Sequence, residues 1–219
     1  MIERFFDIIF SSLALMVLAP LLLPIVLILK FSGEGEVFFL QERIGKGGEV
    51  FKLYKFATML KDSPNIGTLT VTMKDDPRVL SVGKFLRKTK INELPQLLNI
   101  FYGDMSVIGP RPLTSQTFGS YSSSTQKTIK RVRPGLSGVG SIIFRGEEEI
   151  LEGSFASVDF YDNVIAPYKG SLEDWFVENK CLYIYFLAIF ITVWTVFNPT
   201  TNMAWKVFKK LPEPPEQLK

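Results

Sequence analysis

The stretch IIFSSLALMVLAPLLLPIVLIL, Ile8 to Leu29, contains no charged residue, and about twenty apolar residues suffice for one helical crossing of a bilayer. Its apolar core is longer than the roughly 7–15 residues of a secretory signal, and Ala19-Pro20 is a poor cleavage context. Pro20 and Pro24 fall mid-run, where each removes an amide donor and clashes with the preceding turn, so the helix is expected to bend. A bent apolar helix either spans or dips into one leaflet and returns, and non-helical backbone at the bend must be satisfied by other groups. From the residues alone the two placements stand level.

Outside this run the composition sets limits. The chain has 219 residues, enough for one globular domain plus the apolar segment. Lysine and arginine total 25 against 22 aspartates and glutamates, a net charge of +3, too even a balance to point to nucleic acid. There is no histidine, which removes imidazole bases, Ser/His/Asp sites and histidine-bound zinc. The single cysteine, Cys181, rules out an internal disulfide and points to a reducing compartment. Chemistry is left to carboxylates, amides, hydroxyls, lysines and arginines, with any metal a hard, oxygen-ligated ion such as magnesium.

Past Lys30 the sequence turns to that of a soluble domain. Val37 to Gln41 and Val50 to Phe56, around Gly45-Lys46-Gly47-Gly48, predict a β-hairpin. Pro64 to Gly67 reads as a loop and Leu69 to Met73 as a short extended piece. Asp75-Asp76-Pro77 has the form of a helix start, with the helix running from Pro77 towards Leu86. Ile91, Leu94, Leu97, Leu98 and Phe101 make one buried helical stripe with a polar face opposite. Gly109 to Pro112 and Arg133-Pro134-Gly135 read as rigid loops, Thr114 to Gln126 is rich in Ser and Thr, and Gly146 to Leu151 begins a helix. Glu147-Glu148-Glu149 reads as a solvated helix start rather than a metal site. Leu182 to Phe197 is again uncharged but short of the roughly 17–25 residues of a span. It is expected either to be buried or to lie on a membrane, with Trp194, Trp205, Lys206, Lys209 and Lys210 suited to the headgroup layer. Pro212 to Lys219 is expected to be disordered.

The sharpest arrangement for chemistry is Arg87 to Gln96, where Asn92 is placed as an N-cap and Glu93 in the first turn, open to a divalent ion. The plainer reading makes Asn92 a cap and Glu93 a solvated carboxylate. Arg111, locked between Pro110 and Pro112, is a stiff cation suited to a two-pronged phosphate contact, or else to pairing with a surface carboxylate such as Asp104. Lys130, Arg131 and Arg133 lead into Pro134 to Gly140, whose glycines permit close backbone approach to a ligand. This glycine run fits neither a Gly-Lys-Ser/Thr phosphate loop nor a dinucleotide fingerprint.

In order along the chain stand Gln41-Glu42-Arg43 with Gly45, Tyr54-Lys55-Phe56, Asp76-Pro77-Arg78, Glu93-Leu94-Pro95-Gln96-Leu97, Gly103-Asp104-Met105-Ser106, Gly109-Pro110-Arg111-Pro112 and Arg133-Pro134-Gly135. This series resembles the bacterial sugar transferases, the monotopic phosphoglycosyl transferases, from Arg4 to about Phe197. The resemblance implies transfer of a sugar 1-phosphate from a UDP-sugar to a polyprenol phosphate, usually undecaprenyl phosphate, with release of UMP, to begin surface-polysaccharide or glycoconjugate assembly. It implies magnesium as cofactor and a place on the cytoplasmic face of the bacterial inner membrane. It also favours a re-entrant helix in the inner leaflet, broken at Pro20, with Arg4 and Asp7 before it and Ala19 where the family has serine.

By the same resemblance Asn92-Glu93 occupies the place of a catalytic Asp-Glu pair whose aspartate forms a covalent phosphosugar and whose glutamate holds magnesium. An amide is a far poorer nucleophile than a carboxylate. Three readings therefore stay open: an engineered inactivating substitution, an enzyme working by another nucleophile or by direct displacement, and a catalytically silent subunit that binds nucleotide-sugar or lipid phosphate. Lys55, Arg111 and Arg133 match functional basic positions of the family, and Glu173 replaces a late aspartate, all expected around the substrate phosphates. The fold expected is a small α/β membrane-associated domain with a re-entrant helix (1–31), a cytoplasmic catalytic domain holding the hairpin and amphipathic interfacial helices (32–180), a C-terminal apolar or interfacial segment (181–211) and a disordered tail (212–219).

Overall fold

The computed structural model describes residues 2–32, 34–63, 76–145, 160–198 and 203–218. The expected loop at 64–67, the extended piece at 69–73, Asp75, and the helix start with its three glutamates at 146–151 lie outside the described residues. The chain is mixed α/β, mostly helical, and divides into two compact units. One holds Met1–Asp7, Arg43–Phe51 and Gly103–Lys219, the other Ile8–Glu42 and Lys52–Tyr102.

The apolar run forms helix α1, Ile2–Phe31, of 30 residues with Pro20 and Pro24 inside it. At 1.5 Å per residue it is about 45 Å long, and by length and composition it suffices to cross a membrane. The helix runs on through both prolines. Each proline lacks the N–H that would donate to the carbonyl four residues earlier.

The predicted hairpin is present as β1, Phe38–Ile44, and β2, Val50–Phe56, joined across a turn at Lys46–Gly48. Gly47 and Gly48 take φ of 75° and 86° there, the left-handed region that only glycine enters without steric cost. In the second unit, Leu22, Ile25, Val26 and Leu29 of α1 pack with Val37, Phe56, Val82 and Leu86. That cluster ties the last turns of α1 to β2 and to α2, Ser81–Lys88.

Helix α2 starts later than Pro77, because Asp76 is occupied otherwise. Its carboxylate accepts from the Arg78 amide at 3.0 Å, from Nε at 2.9 Å and from Nη2 at 2.6 Å, while Arg78 Nη1 donates to the Ser63 carbonyl. This is a turn closed by a buried, two-pronged ion pair. Gly83 then lets α2 lie against the Thr58 carbonyl, 2.2 Å from where a Cβ would stand. The buried stripe beyond α2 is split between a 3-10 turn, Ile91–Glu93, and α3, Gln96–Tyr102. Its faces also differ from expectation: Gln96 and Asn99 are buried whereas Phe101 is 42% exposed.

In the first unit, β3 (Ser106–Ile108) and β4 (Gly135–Ser137) pair in parallel, Ser106 opposite Gly135 and Ile108 opposite Ser137. Two of the glycines expected to approach a ligand, Gly135 and Gly138, approach the chain's own backbone instead. A Cβ on Gly135 would stand 2.0 Å from the Gly109 nitrogen, and one on Gly138 2.1 Å from the Gly109 oxygen. The Ser/Thr-rich stretch holds two short helices, α4 (Ser115–Gly119) and α5 (Ser123–Ile129), capped by Thr114 and Ser122, whose hydroxyls accept from the amides of Thr117 and Thr125. Helix α6 is Val139–Ile143, and after a π-helical turn at Tyr161–Ile165 comes α7, Ala166–Glu178.

Leu182–Phe197 is a single helix, α8. It is fixed to the first turns of α1 by Asp7, 1% exposed, whose Oδ1 accepts from the Tyr185 hydroxyl, the Ser106 hydroxyl and the Val107 amide, each at 2.9 Å. Helix α9, Met203–Val207, follows. Beyond α9 the Tyr168 hydroxyl donates to the Pro212 carbonyl at 3.0 Å, and Leu211 and Leu218 pack on the core of Phe144, Ile165, Tyr168 and Leu172.

Candidate active site

In the second unit, Lys55 near the end of β2 and Glu93 at the end of the 3-10 turn come together, Nζ to Oε1 at 3.8 Å, with side chains 19% and 28% exposed. Two features bring them there. The left-handed Lys90, φ 58°, turns the chain after α2 into Ile91–Glu93. Asn99 of α3, fully buried, then grips β2 on both sides of Leu53: its Oδ1 accepts from the Tyr54 amide at 2.9 Å and its Nδ2 donates to the Lys52 carbonyl at 2.8 Å. The amide thus satisfies one donor and one acceptor of the strand, as a neighbouring strand would. Sequence reasoning missed Asn99, although a lone amide between Leu98 and Ile100 on a packed helix was the available signal.

Asn92 does not cap a helix. The cap position is Lys90, without a side-chain bond, and Asn92 lies inside the 3-10 turn. Its Oδ1 is buried and has no hydrogen-bond partner. An unsatisfied buried amide oxygen costs about 1–3 kcal/mol, and it sits in the residue next to the Glu93 carboxylate. Together they are hard oxygen donors of the kind a magnesium ion takes, which usually has one or two protein ligands and completes its shell with water and substrate phosphate. Among the described residues no three Asp, Glu, Cys or His side chains converge as a metal cluster.

In the first unit, Arg111 lies on the loop that leaves β3 and is exposed. It borders a groove also lined by Ile44, Gly45, Phe118, Lys130 and Pro134. The Lys130 ammonium stands over the Phe118 ring, 4.9 Å from its centroid, and the Gly47 amide donates to the Lys130 carbonyl at 2.8 Å. Arg133 uses its Nε to donate to the Gly103 carbonyl at 2.6 Å.

Glu173 of α7 is only 3% exposed. The Arg111 backbone amide donates to its Oε1 at 3.4 Å, and Oε2 has no partner. Burial pushes this carboxyl up from 4.5 to about 7, against the pull of the Arg111 amide and the Lys169 and Arg111 charges, with Asp174 adding to the rise. The sequence-predicted residues therefore fall into two groups. Lys55, Asn92 and Glu93 share one unit, and Arg111, Arg133 and Glu173 share the other.

Residues 1–199 match the family described as bacterial sugar transferase. The chain is 38% identical over 159 residues to the exopolysaccharide production protein ExoY of Sinorhizobium fredii, 66% of this chain and 70% of that one. It is 34% identical over 199 residues, 90% of this chain and 44% of the other, to the UDP-N-acetylgalactosamine-undecaprenyl-phosphate N-acetylgalactosaminephosphotransferase of Aeromonas hydrophila. Over 153 residues it is 41% identical to the UDP-glucose:undecaprenyl-phosphate glucose-1-phosphate transferase of Klebsiella pneumoniae, covering 68% of this chain and 33% of that enzyme. The chain thus spans less than half the length of the latter two relatives.

Proposed function

Because the chain belongs to the bacterial sugar transferase family, we propose that it transfers a sugar 1-phosphate from a UDP-sugar to undecaprenyl phosphate, releasing UMP, as the step that initiates a surface polysaccharide. The observation that carries this reading is the match over 90% of the chain to a relative named for that reaction. The Lys55–Glu93 pair supports it chemically, since phosphoryl transfer depends mainly on positioning and on neutralising phosphate charge. Lys55 in one unit, and Arg111 and Arg133 in the other, are the cations available for that. Glu173 acts through the Arg111 backbone, because its buried carboxylate touches the loop rather than solvent.

Glu93, with the Asn92 amide oxygen, would hold magnesium, which supplies charge neutralisation to the diphosphate when bound. Asn92 carries no anionic oxygen with which to form a covalent phosphosugar. The reaction proposed for this chain is accordingly one displacement: an oxygen of the acceptor phosphate bonds to the sugar-linked phosphorus, and the bond from that phosphorus to the UMP oxygen breaks. UMP carries away the electron pair.

The proposed location is the cytoplasmic face of the bacterial inner membrane, with α1 in the inner leaflet. Re-entry of α1 would take place by bending within a continuous helix at Pro20 and Pro24 rather than through an opened break. UMP release with a panel of UDP-sugars and undecaprenyl phosphate tests the activity. Cysteines placed at Ile2 and Glu34 and labelled from each side test the helix. Both reacting only from the cytoplasm supports re-entry, and reaction from opposite sides refutes it.

A further inference from the structure

Gln41-Glu42-Arg43 with Gly45 is one of the ordered motifs of the chain, yet the proposed transfer uses none of its side chains. In the first unit Arg43 ends at the loop that carries Arg111: its Nη1 donates to the Pro112 carbonyl at 3.0 Å. The next residue, Ile44, donates its amide to the Leu113 carbonyl at 2.9 Å. Its side chain packs on the cluster that includes Leu113, Phe118 and Ile129.

The Arg111 loop has little freedom to begin with. A proline on either side fixes φ there, and a residue that precedes proline is confined to extended backbone. What remains is rotation of the peptide groups, and these are held from both directions. The group joining Pro110 to Arg111 is held at both polar ends: its carbonyl accepts from the Gly135 amide at 2.8 Å, and its N–H donates to Glu173 Oε1 at 3.4 Å. The group joining Pro112 to Leu113 is held at its carbonyl by Arg43. Pro110, Pro112 and Leu113 are buried, while Arg111 between them is exposed. A clamped backbone thus presents one outward cation, and Arg43 is the side chain that closes the clamp on its C-terminal side.

We propose that Arg43 is a positioning residue for Arg111: by holding the Pro112 carbonyl it fixes the direction in which the loop offers the Arg111 guanidinium to a diphosphate. The proposal rests on the reading of Arg111 as a phosphate ligand. A two-pronged contact needs the guanidinium plane aligned with the phosphate oxygens, and a group fixed beforehand loses less freedom on binding. Arg43 itself gives one N–H to one carbonyl, a task that an ammonium can also perform, whereas the fork required of Arg111 it cannot.

The test is a double-mutant cycle on the full chain in detergent, read by calorimetric titration with UDP and magnesium. Arg43→Met should weaken UDP binding about tenfold in the wild-type background and less than about twofold in the Arg111→Ala background, because a residue that acts through another has nothing left to position once that one is gone. Arg43→Lys should bind within about threefold of wild type, since it keeps a donor for the carbonyl. Equal weakening by Arg43→Met in both backgrounds overturns the proposal, as does UDP affinity unchanged in Arg43→Met while Arg111→Ala weakens it. UDP bound as tightly by Arg111→Ala as by wild type, or not bound by wild type, removes the phosphate reading of Arg111 and the positioning role with it. Absence of turnover with UDP binding intact leaves the cycle readable, so failure of the transferase reading is told apart. Should Arg43→Met fail to fold, Arg43→Gln, with its shorter side chain, takes its place in the cycle.

Discussion

Gly140 and Glu173 fill one space: a Cβ on Gly140 would lie 2.5 Å from Glu173 Oε1, the oxygen that accepts the Arg111 backbone amide. The glycine of α6 is therefore what lets a carboxylate of α7 reach the loop that carries Arg111. Gly140→Ala should displace that carboxylate and cost about 1–3 kcal/mol, the usual range for overfilling a packed site. Urea unfolding measures it, and an unchanged midpoint would show that the carboxylate has room to move.

Glu173 also sets a pH dependence. Its carboxyl is raised from 4.5 to about 7 in the folded protein, so between those values the native state holds a proton that the unfolded chain has lost. Stability therefore falls as pH rises from about 4.5 to about 7 and levels off above. Glu173→Gln should remove this slope. A melting temperature with the same pH profile in wild type and variant would contradict it.

Asn99→Ala would leave the Tyr54 amide and the Lys52 carbonyl without their partner. The expected cost is about 1–3 kcal/mol for each buried group that water does not reach. Because β2 also presents Lys55, turnover should fall with stability. Hydrogen exchange at the Tyr54 amide reads the first effect directly, and unchanged protection there would refute the clamp.

Arg111→Lys should lower UDP-sugar turnover or affinity, since an ammonium cannot reproduce a two-pronged phosphate contact. Loss of a charged hydrogen bond of about 1.5–3 kcal/mol corresponds to roughly ten- to a hundredfold. Unchanged kinetics and affinity would make Arg111 a structural residue.

What the sequence disclosed and what it hid have physical reasons. The hairpin was legible because alternation and the Gly45–Gly48 turn are local signals, and α1 because its run is uninterrupted by charge. Helix α7 was not, since no local pattern around Pro167 and Gly170 marks a helix there. The start of α2 was misplaced because Asp76 spends its carboxylate on Arg78 rather than on a helix cap. The parallel pairing of β3 with β4, and with it the purpose of Gly109, Gly135 and Gly138, depends on contacts distant in sequence that no local pattern announces. At the site, motif order singled out Lys55, Glu93 and Arg111. The Asn99 clamp and the burial of Glu173 required the packed structure.

The most direct test of the central claim is UMP release by the full chain in lipid, with each of a panel of UDP-sugars, with and without undecaprenyl phosphate, followed by intact-mass measurement of the protein. The account predicts UMP formed only when the acceptor is present, no phosphosugar adduct on the chain, and loss of turnover in Glu93→Gln. UMP released without acceptor and an added phosphosugar mass would contradict single displacement. UDP-sugar binding with no UMP from any donor would contradict the transferase reading itself.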